Sequence, residues 1–128
     1  MRRRWLYVLT VAVLAVGCAS TFEFRREEVF QESVRSYGRL MTWSDFGAAA
    51  AFLDPDAPIK SVPPGVRVAG YDYKQAVFAQ DMLEAVNLIE ITYYKEQDPR
   101  VRKIMDRQVW IFNSDKQAWL LKSGFPPF

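Results

Sequence analysis

Apolar positions follow three regimes along the chain: a nearly unbroken run at the start, a helical spacing after it, and a strand-like alternation through the second half. The run covers residues 5–16 and is interrupted only by Thr10. As a helix it would reach about 18 Å, well short of the ~30 Å hydrocarbon core of a bilayer. Next, Phe30, Val34, Tyr37 and Met41 recur at intervals of four, three and four, which predicts one long amphipathic helix over residues 22–41. Arg25, Glu28, Glu32, Arg35 and Arg39 fall on its opposite, solvated side. A shorter helix is expected from Thr42, capping with Asp45 three positions on, through Ala48 to Ala51, until Asp54-Pro55 stops it.

Pro55, Pro58, Pro63 and Pro64 mark a loop, because each removes a backbone donor and favours extended or turn geometry. Beyond it four strands are predicted, over residues 66–73, 83–95, 101–113 and 118–123. Gln97-Asp98-Pro99 and Asn113-Ser114-Asp115-Lys116 read as hairpin turns, so the sheet should be mainly antiparallel. In the second strand Leu83, Ala85, Ile89, Ile91 and Tyr93 share one side, opposite Glu84, Glu90 and Thr92. In the third, Met105, Val109 and Ile111 oppose Ile104, Trp110 and Phe112, so its end is apolar on both sides and should be covered twice or meet a partner. The other half, with Arg102, Lys103, Asp106 and Arg107, should be exposed. The expected fold class is α+β, a long and a short helix followed by a curved four-stranded sheet, in a single domain over residues 22–128.

Charge changes the picture at the N-terminus. Arg2, Arg3 and Arg4 precede the apolar run in the layout of a secretory signal. The residues Leu14-Ala15-Val16-Gly17-Cys18 that end it resemble the bacterial lipobox, with Ala15 where leucine is more usual. That resemblance implies cleavage after residue 17, diacylglycerol and palmitate on Cys18, and a tether over residues 18–21. The domain is expected in the bacterial cell envelope, on the periplasmic side of the outer membrane if the cell is Gram-negative, since no aspartate follows Cys18. The alternative, an uncleaved anchor, also places the domain outside the cytoplasm.

Removing residues 1–17 takes three arginines with it, leaving 14 basic against 15 acidic residues and a charge of −1. Nucleic acid is therefore not an expected partner. With Cys18 the only cysteine, no internal disulfide can form, and packing alone must hold the domain.

The order of elements, together with Gln108-Val109-Trp110-Ile111-Phe112, a turn, and Trp119-Leu120-Leu121-Lys122-Ser123-Gly124-Phe125-Pro126, resembles the nuclear-transport-factor-like superfamily and its cystatin-like cone. The resemblance spans residues 22–128 and implies isomerases, cyclases, scaffolds or binding proteins alike. Its enzymes use a pocket Asp, His or Tyr, and this chain has no histidine. Tyr71, Asp72, Tyr73, Asp81, Tyr93, Tyr94 and Asp106 remain as acid–base candidates, though none maps onto a family catalytic position. Without histidine no metal site is expected, and no cofactor.

Trp43, Tyr71, Trp110 and Trp119 could line an apolar cavity or fill a core, so a small hydrophobic ligand is one expectation. The short tether sets another: Phe22 and Phe24 at the acyl–headgroup boundary, with Arg25 and Arg26 meeting phosphates. Arg100, Arg102, Lys103 and Arg107 could face an anionic partner or guard a solvated edge. Phe125-Pro126-Pro127-Phe128 could tuck under the sheet or hook another subunit. The leading functional expectation is a non-enzymatic envelope lipoprotein that binds or assembles with a protein partner or with itself; a ligand carrier comes second, and a histidine-free isomerase or cyclase third.

Overall fold

In the computed structural model residues 25–128 are described. The signal segment, Cys18, the tether, Phe22 and Phe24 lie outside the described residues.

The first helix, α1, occupies residues 25–42 and buries Phe30, Val34, Tyr37 and Met41, the spacing that one helical face requires. It does not run on into the second. Ser44 takes a positive φ of 57° and the chain restarts at α2, Phe46–Ala49, which tightens into a 3₁₀ turn at Ala50–Phe52. Asp45 is the N-cap, its carboxylate accepting from the Ala48 amide at 3.2 Å. Thr42, expected in that role, closes α1 instead by donating to the Gly38 carbonyl at 2.8 Å.

The sheet is an antiparallel meander in the order β1-β2-β3-β4, with β1 Val66–Phe78, β2 Glu84–Lys95, β3 Asp98–Asn113 and β4 Ala118–Leu121. The architecture is thus α+β, as the patterning implied. β1 extends five residues beyond its expected end, because its C-terminal half pairs with β2 from Tyr73↔Ile89 to Phe78↔Ala85. β3 begins earlier than expected, since the tight turn is Glu96-Gln97 and Asp98 already pairs with Lys95. β4 is short and matches only Trp110–Asn113 of β3.

One sheet face meets α1. Ala85, Asn87, Ile89, Ile91 and Tyr93 of β2 point there, and the register places Asp106, Gln108 and Trp110 of β3 beside them. All three are buried, so the expected exposure of Asp106 is corrected: facing residues in an antiparallel pair share a side, and the partners of Ile89, Asn87 and Ala85 must go inward. The core is aromatic and filled. Phe30 packs edge-on to Phe78 at 4.8 Å and Trp119 at 4.9 Å, while Trp110 meets Tyr37 at 5.5 Å. The closing segment tucks under: Phe125 is buried with its amide on the Ile59 carbonyl at 2.9 Å, and Phe128 stacks edge-on against Tyr93 at 4.9 Å.

Candidate functional site

α1 runs back along β1. Phe30 lies beside Phe78, the Tyr73 hydroxyl donates to the Val34 carbonyl at 3.2 Å, Gly38 approaches Tyr71 and Tyr73, and the Ser44 hydroxyl accepts from the Val68 amide at 2.9 Å. A Cβ at position 38 would collide with the Tyr73 hydroxyl, so glycine is what lets helix and strand approach this closely. β1 is an edge strand, and its segment from Asp72 to Val77 is exposed. Between it and α1 lie two adjoining grooves that share Arg35 and Tyr73. One, about 300 Å³, is lined by Arg39, Thr42, Trp43 and Tyr71; the other, about 380 Å³, has Phe30, Val34 and Asn87 among its walls.

Beneath the first groove sits a buried polar cluster. The Gln108 side-chain nitrogen donates to the Tyr71 hydroxyl at 2.8 Å and to the Asp106 carboxylate at 2.9 Å, and its oxygen accepts from the Trp110 indole at 3.1 Å. Burial pushes the Asp106 carboxyl up to about 6, against the opposing pull of its Gln108 hydrogen bond. Burial likewise raises the Tyr71 hydroxyl, with the Gln108 bond pulling the other way. The Tyr37 hydroxyl, raised by burial and by its neighbours Tyr71 and Asp106, is fully enclosed and has no hydrogen-bond partner among the described residues. These groups could in principle move a proton between Asp106 and Tyr71, but Asp106 is only 6% exposed and no groove described above reaches it.

The four aromatic residues expected around one cavity are not brought together. Trp110 and Trp119 fill the core at 0% and 1% exposure, whereas Trp43 stands 82% exposed on the groove rim. Only Trp43 and Tyr71 share a groove. Of the acid–base candidates, Asp106 and Tyr71 meet through Gln108, and Tyr73 reaches α1. Asp72 and Asp81 are exposed, Tyr94 is half-buried, and Tyr93 packs against Phe128. Tyr37 was expected only as part of the α1 stripe and Gln108 only within the closing strand pattern, and Asn87 was not singled out from the sequence. The signal for Gln108 was period two counted back from the inward Trp110.

Arg25 and Arg26 stand at the start of α1, on a groove of about 520 Å³ shared with Val29, Phe112 and Gln117. The Arg26 guanidinium lies 5.9 Å over the Phe112 ring and donates to the Asp81 carbonyl at 3.3 Å, while the Arg26 carbonyl accepts from the Trp119 indole at 2.9 Å. The other basic stretch is partly spoken for: Arg100 and Arg102 both grip the Asp98 carboxylate, at 2.7 and 2.6 Å, which holds that carboxyl well below its usual range. Among the described residues no three His, Cys, Asp or Glu side chains gather as a metal site. Comparison with family models, curated proteins and solved structures finds no match.

Proposed function

We propose that this protein is a lipid-anchored component of the bacterial cell envelope, held through Cys18, that works by binding a partner rather than by catalysis. The observation that carries the choice is the closed state of Asp106, the one buried acid among the described residues. Asp106 is enclosed and mated to Gln108, which also holds Tyr71, whereas a catalytic carboxyl has to touch its substrate. Of the tryptophans expected around a ligand cavity, Trp110 and Trp119 fill the core and Trp43 stands exposed. What the surface offers is a cationic, aromatic end at Arg25, Arg26 and Phe112 at the start of α1, next in sequence to the tether. We infer that Phe22 and Phe24, which precede that end in the sequence, contact the acyl–headgroup boundary.

The test is intact-mass analysis and detergent phase partitioning of protein purified from a bacterial membrane. Wild type should carry the acyl chains and enter the detergent phase, while Cys18→Ser stays aqueous with an unmodified mass. A wild type that begins at Met1 with a free thiol sinks the proposal. The Asp106–Tyr71 pair is the specific observation favouring an enzymatic reading, and a substrate-class screen in which Asp106→Asn abolishes turnover would promote it.

A further inference from the structure

The α1/β1 groove is lined by Arg35 and Arg39 on the helix side and, on the other, by β1, an edge strand among the described residues. Arg35 and Arg39 stand one helical turn apart on α1 and line the groove with Tyr73, whose hydroxyl burial pushes up while the two guanidiniums pull the other way. Among the described residues Arg35 makes no ion pair, and Arg39 meets a carboxylate only at 4.0 Å, that of Glu32. At the end of the groove, Trp43 presents its indole to solvent.

The floor holds the second, independent feature. Asn87 is 2% exposed and lines the groove beside Phe30 and Val34. On the floor of the groove, the Asn87 amide presents one donor side and one acceptor side. A backbone peptide group presents the complementary pair.

Shape narrows the occupant further. From Gln31 to Trp43 the groove runs about 18 Å along the helix at ~1.5 Å per residue, the length of roughly five or six residues of extended chain at ~3.3 Å each. Tyr73 divides it into two compartments, which suits side chains that alternate.

We propose that the groove between α1 and the free edge of β1 binds an acidic peptide segment in extended form. The carboxylates pair with Arg35 and Arg39, the Asn87 amide meets a peptide group, and an apolar side chain rests on Phe30 and Val34. This deepens the partner-binding reading and rests on it by naming where and what the domain binds.

The experiment uses the full-length chain in non-ionic detergent and a fluorescein-labelled probe, Glu-Val-Glu-Phe-Glu-Val, followed by fluorescence anisotropy at low salt. Wild type should bind the probe, and the double variant Arg35→Glu/Arg39→Glu should lose about tenfold or more in affinity, both sites being exposed and tolerant of change. The same variant should gain binding to Lys-Val-Lys-Phe-Lys-Val, a charge swap that misfolding cannot mimic. The Asn87 side-chain amide resonances should shift on addition of the acidic probe. Absence of probe binding, an equal loss in Arg100→Glu/Arg107→Glu, or preference for a sulfated polysaccharide over the peptide would each overturn the proposal. Detergent partitioning of the arginine variant stays that of wild type, so failure here is distinguishable from failure of the anchor.

Discussion

Gln108 and Asp106 stand two residues apart on β3, both turned toward α1, with the glutamine nitrogen 2.9 Å from the aspartate oxygen. The contact is local, made by strand periodicity, and it opposes the burial that raises the Asp106 carboxyl. One hydrogen bond to the carboxylate only partly offsets the loss of water, so the acid stays weaker than a free aspartate.

A pH dependence follows. The folded chain holds the Asp106 proton up to about pH 6, the unfolded chain only to about pH 4, so between these values the native state binds more protons. Stability therefore falls as pH rises from about 4 to 6, by about 2–3 kcal/mol, and stays at the lower level above that. Asp106→Asn should flatten that segment of the profile and raise Tm at pH 8, measured by thermal melts across pH. A wild-type and variant pair with parallel profiles from pH 4 to 8 refutes it.

Removal of one oxygen should also stabilise. Tyr37 carries an enclosed hydroxyl with no partner among the described residues, which costs roughly 1–3 kcal/mol of lost hydration. Tyr37→Phe keeps the edge-on contacts with Trp110 and Phe52 and should add about 1 kcal/mol to the unfolding free energy, seen as a higher midpoint in urea titration. A lower midpoint would mean that the hydroxyl is satisfied after all.

The two ends of the burial range should respond oppositely to truncation. Phe125→Ala removes a ring that is 2% exposed and packed on Phe46, and should cost about 3–5 kcal/mol. Trp43→Ala removes a larger ring that is 82% exposed, and should change stability by less than about 0.5 kcal/mol. Comparable losses in chemical denaturation would show that Trp43 is packed rather than presented.

Gly38 offers a check on the seam between α1 and β1. Gly38→Ala gains helix propensity of about 1 kcal/mol but drives its methyl into the Tyr73 hydroxyl. The substitution should therefore help more in a Tyr73→Phe background than in wild type. A double-mutant cycle that shows no coupling between the two positions would place them apart.

Much of the architecture was legible in the chain because it follows from local periodicity. The spacing of Phe30, Val34, Tyr37 and Met41 fixes a helix face, the alternation through Ile89, Ile91 and Tyr93 fixes a strand face, and the prolines of residues 55–64 fix the break between them. The second helix slipped by one cap because Thr42 and Asp45 are both good N-cap residue types; the positive φ at Ser44 decided for Asp45.

The candidate site was legible only in pieces. Asp106 and Gln108 look solvent-facing from their own chemistry, and only pairing with Ile89 and Asn87 turns them inward. Trp43, Trp110 and Trp119 are alike as residue types, but one lies past the end of α1 while the others sit on inward strand positions. The groove itself needs α1 laid against β1, a contact between segments some forty residues apart, and no local pattern specifies a distance of that kind. Sequence determined which residues belong to which face, since periodicity is a property of neighbours; tertiary structure decided which faces meet, because that depends on the register and packing of the whole chain.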